Sequence, residues 1–322
     1  FFKIKIKYKL NLMTPNQSLN TLSSKILKAM EDVLKKENPD YVFVHGDTTT
    51  TAFASIAAFY NQNKICHVEA GLRTFDKYSP FPEEINRSIA GKLADIHFAP
   101  TEKSRKNLLS EGVEKDKIII TGNTVIDALL YGIKLVKKFK NHEIEKLQKI
   151  ISNDRKIILV TGHRRENFGD GFKNICNALN EISRNKNIDI IYPVHLNPNV
   201  KNIVYKSLGN IDNIHLIPPL NYPAFIWLMN KSYLILTDSG GVQEEAPSIG
   251  KPVLVMRNTT ERPEGIKAKT AMLVGTNQEK IVKNVNHFLN DKKLYKKISL
   301  QQNPYGDGKS AKKIMEYIKD NG

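Results

Sequence analysis

Three acids and one histidine sit where a chain of alternating strands and helices meets its ligands. Asp47 and Glu69 follow the apolar runs Tyr41–Val44 and Ile65–Val68, and Glu83 opens the next helical stretch. His163 follows a third run, Lys156–Val160, in Thr161-Gly-His-Arg-Arg-Glu-Asn167. Polar groups at the carboxyl ends of buried parallel strands are where open α/β sheets place ligands. Asp47 and Glu69 are 22 positions apart, about one helix plus one strand. A right-handed β-α-β unit of that length puts both acids on one sheet edge. Carboxylates gathered in this way can divide proton transfer, one as acid and another as base.

A second signal lies in Leu236-Thr-Asp-Ser-Gly-Gly-Val-Gln-Glu-Glu245. A strand ends, Gly240 and Gly241 let backbone approach a ligand, and a helix begins with its N–H groups free for an anion. Ser239 either joins that cradle or caps the helix. Glu245, one turn in, could accept hydrogen bonds from two ribose hydroxyls. His195, in Pro193-Val-His-Leu-Asn-Pro198, binds substrate or caps the next helix. His45 and His67 alternate with apolar residues and read as packed strand residues. No Walker-type Gly-Lys-Thr and no GxGxxG after a strand is present, which excludes ATP and NAD as expected ligands. No metal is expected, because His-x-His, HExxH and clustered Cys/His spacings are missing.

The elements that must position these residues alternate in two halves, which predicts two doubly wound parallel sheets. The first domain is expected over residues 1–152 and the second over 153–304. A turn-rich stretch, Asn303–Gly308, then precedes a last helix, and segment 305–322 is expected to pack back on the first domain. Residues 1–13 alternate apolar and basic like a strand. Gln17–Lys36 reads as an amphipathic helix.

A net charge of +16 raises the question of nucleic acid, but the lysines are dispersed among Glu and Asn. No zinc pattern, Arg-rich stripe or aromatic RNA-binding signature accompanies them, so nucleic-acid binding is not expected. No apolar run approaches the roughly 20 residues that span a bilayer, and no membrane association or secretory signal is expected. Cys66 and Cys176 both lie in apolar contexts, which predicts buried thiols and a cytoplasmic location.

The motifs together resemble the non-hydrolysing UDP-N-acetylglucosamine 2-epimerase family. They are His45-Gly-Asp-Thr-Thr-Thr50, His67-Val-Glu-Ala-Gly-Leu-Arg-Thr74, Pro82-Glu-Glu-Ile-Asn-Arg87, Thr161–Asn167, Asp238–Glu245 and Thr260-Glu-Arg-Pro-Glu264, in the family's order. The resemblance implies the two-domain fold of B-type glycosyltransferases, substrate in the interdomain cleft, a homodimer and no cofactor. It implies reversible conversion of UDP-N-acetylglucosamine to UDP-N-acetylmannosamine by elimination and re-addition of UDP. Asp47, Glu69 and Glu83 match the catalytic acids, with the face of C2 served by each left open, and His163 matches the histidine assisting UDP departure. Ser239, Gly240, Gly241 and Arg262 match diphosphate contacts, Glu245 the ribose contact and Phe225 the uracil contact. Arg164, Glu83 and His195 match a second site for UDP-N-acetylglucosamine as allosteric effector. The family opens with a strand and a Gly-Thr-Arg-Pro-Glu loop, and nothing like it precedes Asn11–Gln17. The first domain is therefore expected to lack its opening β-α-β segment. The alternatives are a hydrolysing epimerase releasing N-acetylmannosamine plus UDP, a glycosyltransferase of the same fold, or a UDP-sugar-binding protein with little turnover.

Overall fold

The structure, a computed structural model, describes residues 1–152 and 154–321. It divides into two compact units, Phe1–Thr124 with Gly308–Gly322, and Val125–Asp307. The division falls earlier than the expected boundary after residue 152. The two helices that move to the second unit are α5 (Thr124–Val136) and α6 (His142–Ile150). Glu143 on α6 accepts from the Asn221 backbone N–H, a bond within that unit.

The first unit is built on a four-stranded parallel sheet of β1 (Tyr41–His45), β2 (Lys64–Val68), β3 (Ile96–Ala99) and β4 (Ile118–Ile120), in that spatial order. Its helices are α1 (Leu19–Glu37), α2 (Thr49–Tyr60), α3 (Glu83–Leu93), α4 (Glu102–Ser110) and α14 (Ser310–Asn321). Helix α1 starts at Ser18, whose hydroxyl accepts from Thr21 N, and stops at Asn38 in the left-handed conformation. Both are common helix punctuation, since Ser satisfies an orphan N–H and Asn tolerates positive φ. Val42, Val44 and Ile65 pack with Leu34, Ala54, Ala57 and Ala58 of α1 and α2. Cys66 and Phe98 pack against Ile314 and Tyr317 of α14. Residues 1–13 form no strand, although their alternation predicts one: Ile4 and Ile6 stay exposed, and none of these residues pairs in a ladder.

The second unit has a six-stranded parallel sheet. Its strands are β5 (Lys156–Thr161), β6 (Ile188–Pro193), β7 (Ile214–Ile217), β8 (Leu234–Thr237), β9 (Val253–Val255) and β10 (Ala271–Leu273), in spatial order β10-β9-β8-β5-β6-β7. The chain leaves the sheet centre in both directions, so β5 and β8 are neighbours and their carboxyl ends form a switch point. Thr161 pairs in register with Thr237, which brings the two ligand motifs side by side. The central strands β5 and β8 are mostly apolar and buried on both faces, as a sheet covered twice requires. The covering helices are α7 (Asp170–Ile182), α8 (Pro198–Leu208), α9 (Tyr222–Lys231), α12 (Gln278–Asn290) and α13 (Lys292–Ser299), with the short α10 (Gly240–Glu245) and α11 (Pro263–Lys267) at the strand ends. Phe172, Ile175 and Leu179 of α7 fill the core against Ile158, Val160 and Ile190.

Candidate active site

In the first unit His45 is in register with Val68, so the residues just past β1 and β2 emerge together. Gly46 has φ +70°, and its N–H donates to Val68 O at 3.0 Å. A Cβ there would stand 3.1 Å from Glu69 Oε2. The Glu69 carboxylate thus lies over the turn that carries Asp47. Glu69 itself has φ +65°, an uncommon state for a residue with a side chain. Asn123 Nδ2 donates to its Oε1 at 3.0 Å. Next to it is His45, exposed rather than packed, with Nε2 3.9 Å from Glu69 Oε2. His67 does pack. It is buried, and burial lowers its pKa to about 4, so a neutral ring donates from Nε2 to Gly46 O at 2.8 Å.

Helix α3 holds Asp47 from the other side. Asn86 Nδ2 donates to Asp47 O at 3.0 Å, and Arg87 Nε donates to Asp47 Oδ2 at 3.0 Å. Arg87 Nη1 donates to Glu84 Oε2 at 2.7 Å. Burial opposes the charge on Glu84, but N–H donors of Phe75 and Thr74 together with Arg87 outweigh it and hold the carboxyl below its ordinary range. Glu83 is half-buried in the first turn of α3, where the helix dipole favours an acid.

In the second unit Asp238 is fully buried just past β8. Its Oδ2 accepts from His163 N at 2.9 Å, Arg164 N at 2.9 Å and Asn167 Nδ2 at 3.2 Å. The loop after β5 is therefore folded around one carboxylate. His163 Nδ1 stands 3.3 Å from Asp238 Oδ1. Burial lowers the His163 pKa, Asp238 pulls it back up, and Arg164 and His195 add to the lowering. His195 stacks on it with ring centroids 5.7 Å apart. It does not cap α8, because Asn197 accepts from Asn199 N there.

The glycine turn faces two cations. A Cβ on Gly240 would meet the guanidinium of Arg262 at 3.7 Å and that of Arg164 at 3.9 Å, while nothing lies within 4 Å of one on Gly241. Ser239 makes no side-chain cap bond; its N–H donates to Thr237 Oγ1 at 2.9 Å. Arg164 Nε is buried with no hydrogen-bond partner among the described residues. Arg262 Nε donates to Glu244 Oε1. Glu245 is 8% exposed, and burial, with the charge of Glu244 behind it, raises its carboxyl to about 7. Arg257 fastens the site from below, Nε to Glu166 Oε1 and Nη1 to Glu261 Oε2, each at 2.6 Å. Phe225 is half-buried on α9.

The structure thus brings Asp47 and Glu69 together in one unit, and His163, Arg164, Ser239, Gly240 and Arg262 in the other. Sequence reasoning missed Glu84, Arg87 and Asp238. The first two are three apart on a predicted helix, the spacing at which Glu and Arg meet. Asp238 lay inside a motif read for its glycines, Ser239 and Glu245.

Two parallel sheets, each ending in charged side chains at its carboxyl edge, define an α/β enzyme of the glycosyltransferase-B type. The sequence matches the UDP-N-acetylglucosamine 2-epimerase family over residues 1–319. It is 53% identical to the UDP-N-acetylglucosamine 2-epimerase of Campylobacter jejuni, over 98% of this chain and 84% of that protein. It is 52% identical to that of Escherichia coli strain K12, over 99% of this chain and 86% of that protein. The structure superposes with a TM-score of 0.90 on UDP-GlcNAc 2-epimerase from Neisseria meningitidis bound to UDP-GlcNAc, at 47% identity, covering 99% of this chain and 87% of that one. The chain belongs to the UDP-N-acetylglucosamine 2-epimerase family.

Proposed function

We propose that this chain interconverts UDP-N-acetylglucosamine and UDP-N-acetylmannosamine by eliminating UDP and adding it back. The C2 proton of the sugar is not beside a carbonyl and is barely acidic. Departure of UDP makes C1 oxocarbenium-like, and that charge acidifies C2–H. A base takes the proton, giving 2-acetamidoglucal and UDP. Return of a proton to the other face, with UDP rejoining C1, completes the inversion. Two acid/base groups are needed for two faces.

The observation that carries this reading is the convergence of Asp47 and Glu69 on the Gly46 turn, with Glu83 on the helix that holds Asp47. These three supply the proton transfers. In the second unit the Gly240 turn with Arg164 and Arg262 suits a diphosphate, because guanidinium forks bind phosphate oxygens in pairs. Ser239 and Gly241 complete that cradle, Glu245 takes the ribose and Phe225 the uracil. His163, its loop fixed by Asp238, assists the leaving and returning diphosphate. The Neisseria structure, bound to UDP-GlcNAc, supports the same ligand here. A second UDP-N-acetylglucosamine acting through Arg164, Glu83 and His195 as an effector belongs to the proposal. So do a homodimer and a cytoplasmic location, the last fitting two free, buried cysteines.

Incubation with UDP-N-acetylglucosamine in deuterated water tests the reaction. Deuterium at C2 of recovered UDP-sugar, with both epimers present, is the expected result. No exchange refutes turnover, and free N-acetylmannosamine with UDP as the sole products refutes the non-hydrolysing course.

A further inference from the structure

The way Asp47 is held separates its two oxygens. Arg87 is 9% exposed and lies on the second turn of α3. Its Nε and Nη2 both converge on Asp47 Oδ2, at 3.0 and 2.8 Å. Its remaining arm, Nη1, is anchored 2.7 Å from Glu84 Oε2. Glu84 is in turn fixed by backbone: Thr74 N donates to both its oxygens at 3.1 Å, and Phe75 N donates to Oε1 at 2.9 Å. Asn86, one residue before Arg87, holds the Asp47 carbonyl at 3.0 Å. Backbone and side chain of Asp47 are thus clamped from one helix, and Arg87 engages Oδ2 alone.

We propose that Arg87 is a positioning residue that occupies Asp47 Oδ2 and presents Oδ1 as the atom that exchanges the proton with C2. This rests on the reading of Asp47 as an acid/base group. Arginine suits the task because its planar fork is always charged and can grip two carboxylates at once in fixed directions, which a lysine ammonium cannot. Glu84 sets the plane of the fork, and the fork sets the carboxylate. Proton transfer needs the reacting atoms within hydrogen-bond reach, and a misplacement of about 1 Å costs about a hundredfold in rate. The loop from Thr74 to Pro82 feeds into the same clamp through its first two N–H groups. Substitutions there that disturb Glu84 should therefore act on turnover through Arg87.

The test is a mutant cycle on turnover, read together with UDP affinity. Arg87→Ala should lower kcat about a hundredfold and KM less than about threefold. UDP affinity, carried by the second unit, should stay at the wild-type value. Added guanidinium should restore at least about tenfold of kcat in Arg87→Ala and nothing in Arg87→Ala/Asp47→Asn. The double variant should be no slower than Asp47→Asn alone, because the clamp acts only through that carboxylate. Should Arg87→Ala fail to fold, Arg87→Lys carries the test, with the charge kept, the fork lost and kcat expected to fall about tenfold or more. Losses that multiply in the double variant, or kcat of Arg87→Lys within about twofold of wild type, overturn the proposal. An Asp47→Asn enzyme with a wild-type rate removes the base itself and the clamp with it. A normal Asp47 dependence with an unaffected Arg87 variant removes the clamp alone.

Discussion

Glu245→Gln should make the unliganded protein sturdier above neutral pH and a worse binder of UDP. The carboxyl is 8% exposed and rises from 4.5 to about 7, first through burial and then through the neighbouring charge of Glu244. The folded state therefore favours the protonated form. Stability from this group is fully present below the unfolded value of 4.5 and is lost as pH climbs through about 7. A shift from 4.5 to about 7 corresponds to about 3 kcal/mol at pH 8, at 1.36 kcal/mol for each tenfold. Glutamine has the same shape and no charge to desolvate, so it should recover much of that, about 1–3 kcal/mol at pH 8, and almost none at pH 4.5. Urea unfolding of both proteins at pH 4.5, 6, 7 and 8 measures the difference. At pH 8, where the Glu245 carboxyl is ionised, two ribose hydroxyls lose a charged acceptor worth about 1.5–3 kcal/mol in the same variant, so UDP should bind about ten- to a hundredfold more weakly there. A stability difference flat from pH 4.5 to 8 would refute the burial argument. Unchanged UDP affinity would refute the ribose contact.

Asp47→Asn, Glu69→Gln and Glu83→Gln should each cut turnover by about two to four orders of magnitude with smaller changes in KM, and near wild-type kcat in any two of them removes the acid/base scheme. Asp238→Ala strips the acceptor from His163 N, Arg164 N and Asn167 Nδ2, so it should cost at least about 3 kcal/mol in denaturant and weaken UDP binding, as calorimetry would show. Two glycines make a matched pair. Gly71→Ala puts a Cβ 2.3 Å from Ser104 O at φ +88° and should yield no soluble protein, whereas Gly112→Ala at φ +84° meets nothing within 4 Å and should cost only about 1–2 kcal/mol in a thermal melt.

Much of the fold could be read from strands bounded by chemistry. Lys156–Val160 and Leu234–Thr237 are apolar on both faces and then turn abruptly polar, which placed His163 and Ser239 at the same sheet edge. What the pattern could not give was pairing. Residues 1–13 have strand alternation, yet a strand exists only where a neighbour completes its ladder, and none does. The five-residue α11 carries too few positions for a helical period to register. His45 obeys the alternation of β1 but falls at its last residue, where the sheet face ends and the side chain is free to stand beside Glu69. Arg87 and Asp238 escaped for a different reason. Each acts on a residue distant in sequence, 40 and 75 positions away for Asp47 and His163, and local spacing holds no trace of that.

The return of α14 to the first sheet has an analytical use. Cys66 is fully buried beneath Phe98, Ile314 and Tyr317, and burial raises its thiol to about 12. As long as that lid is seated, the sulfur has neither access nor thiolate character, and a disulfide reagent should find nothing to attack. Any event that lifts the last helix exposes a nucleophile at a known place. The rate of Cys66 labelling is therefore a clock for how often the end of the chain lets go, readable without adding a probe to the molecule.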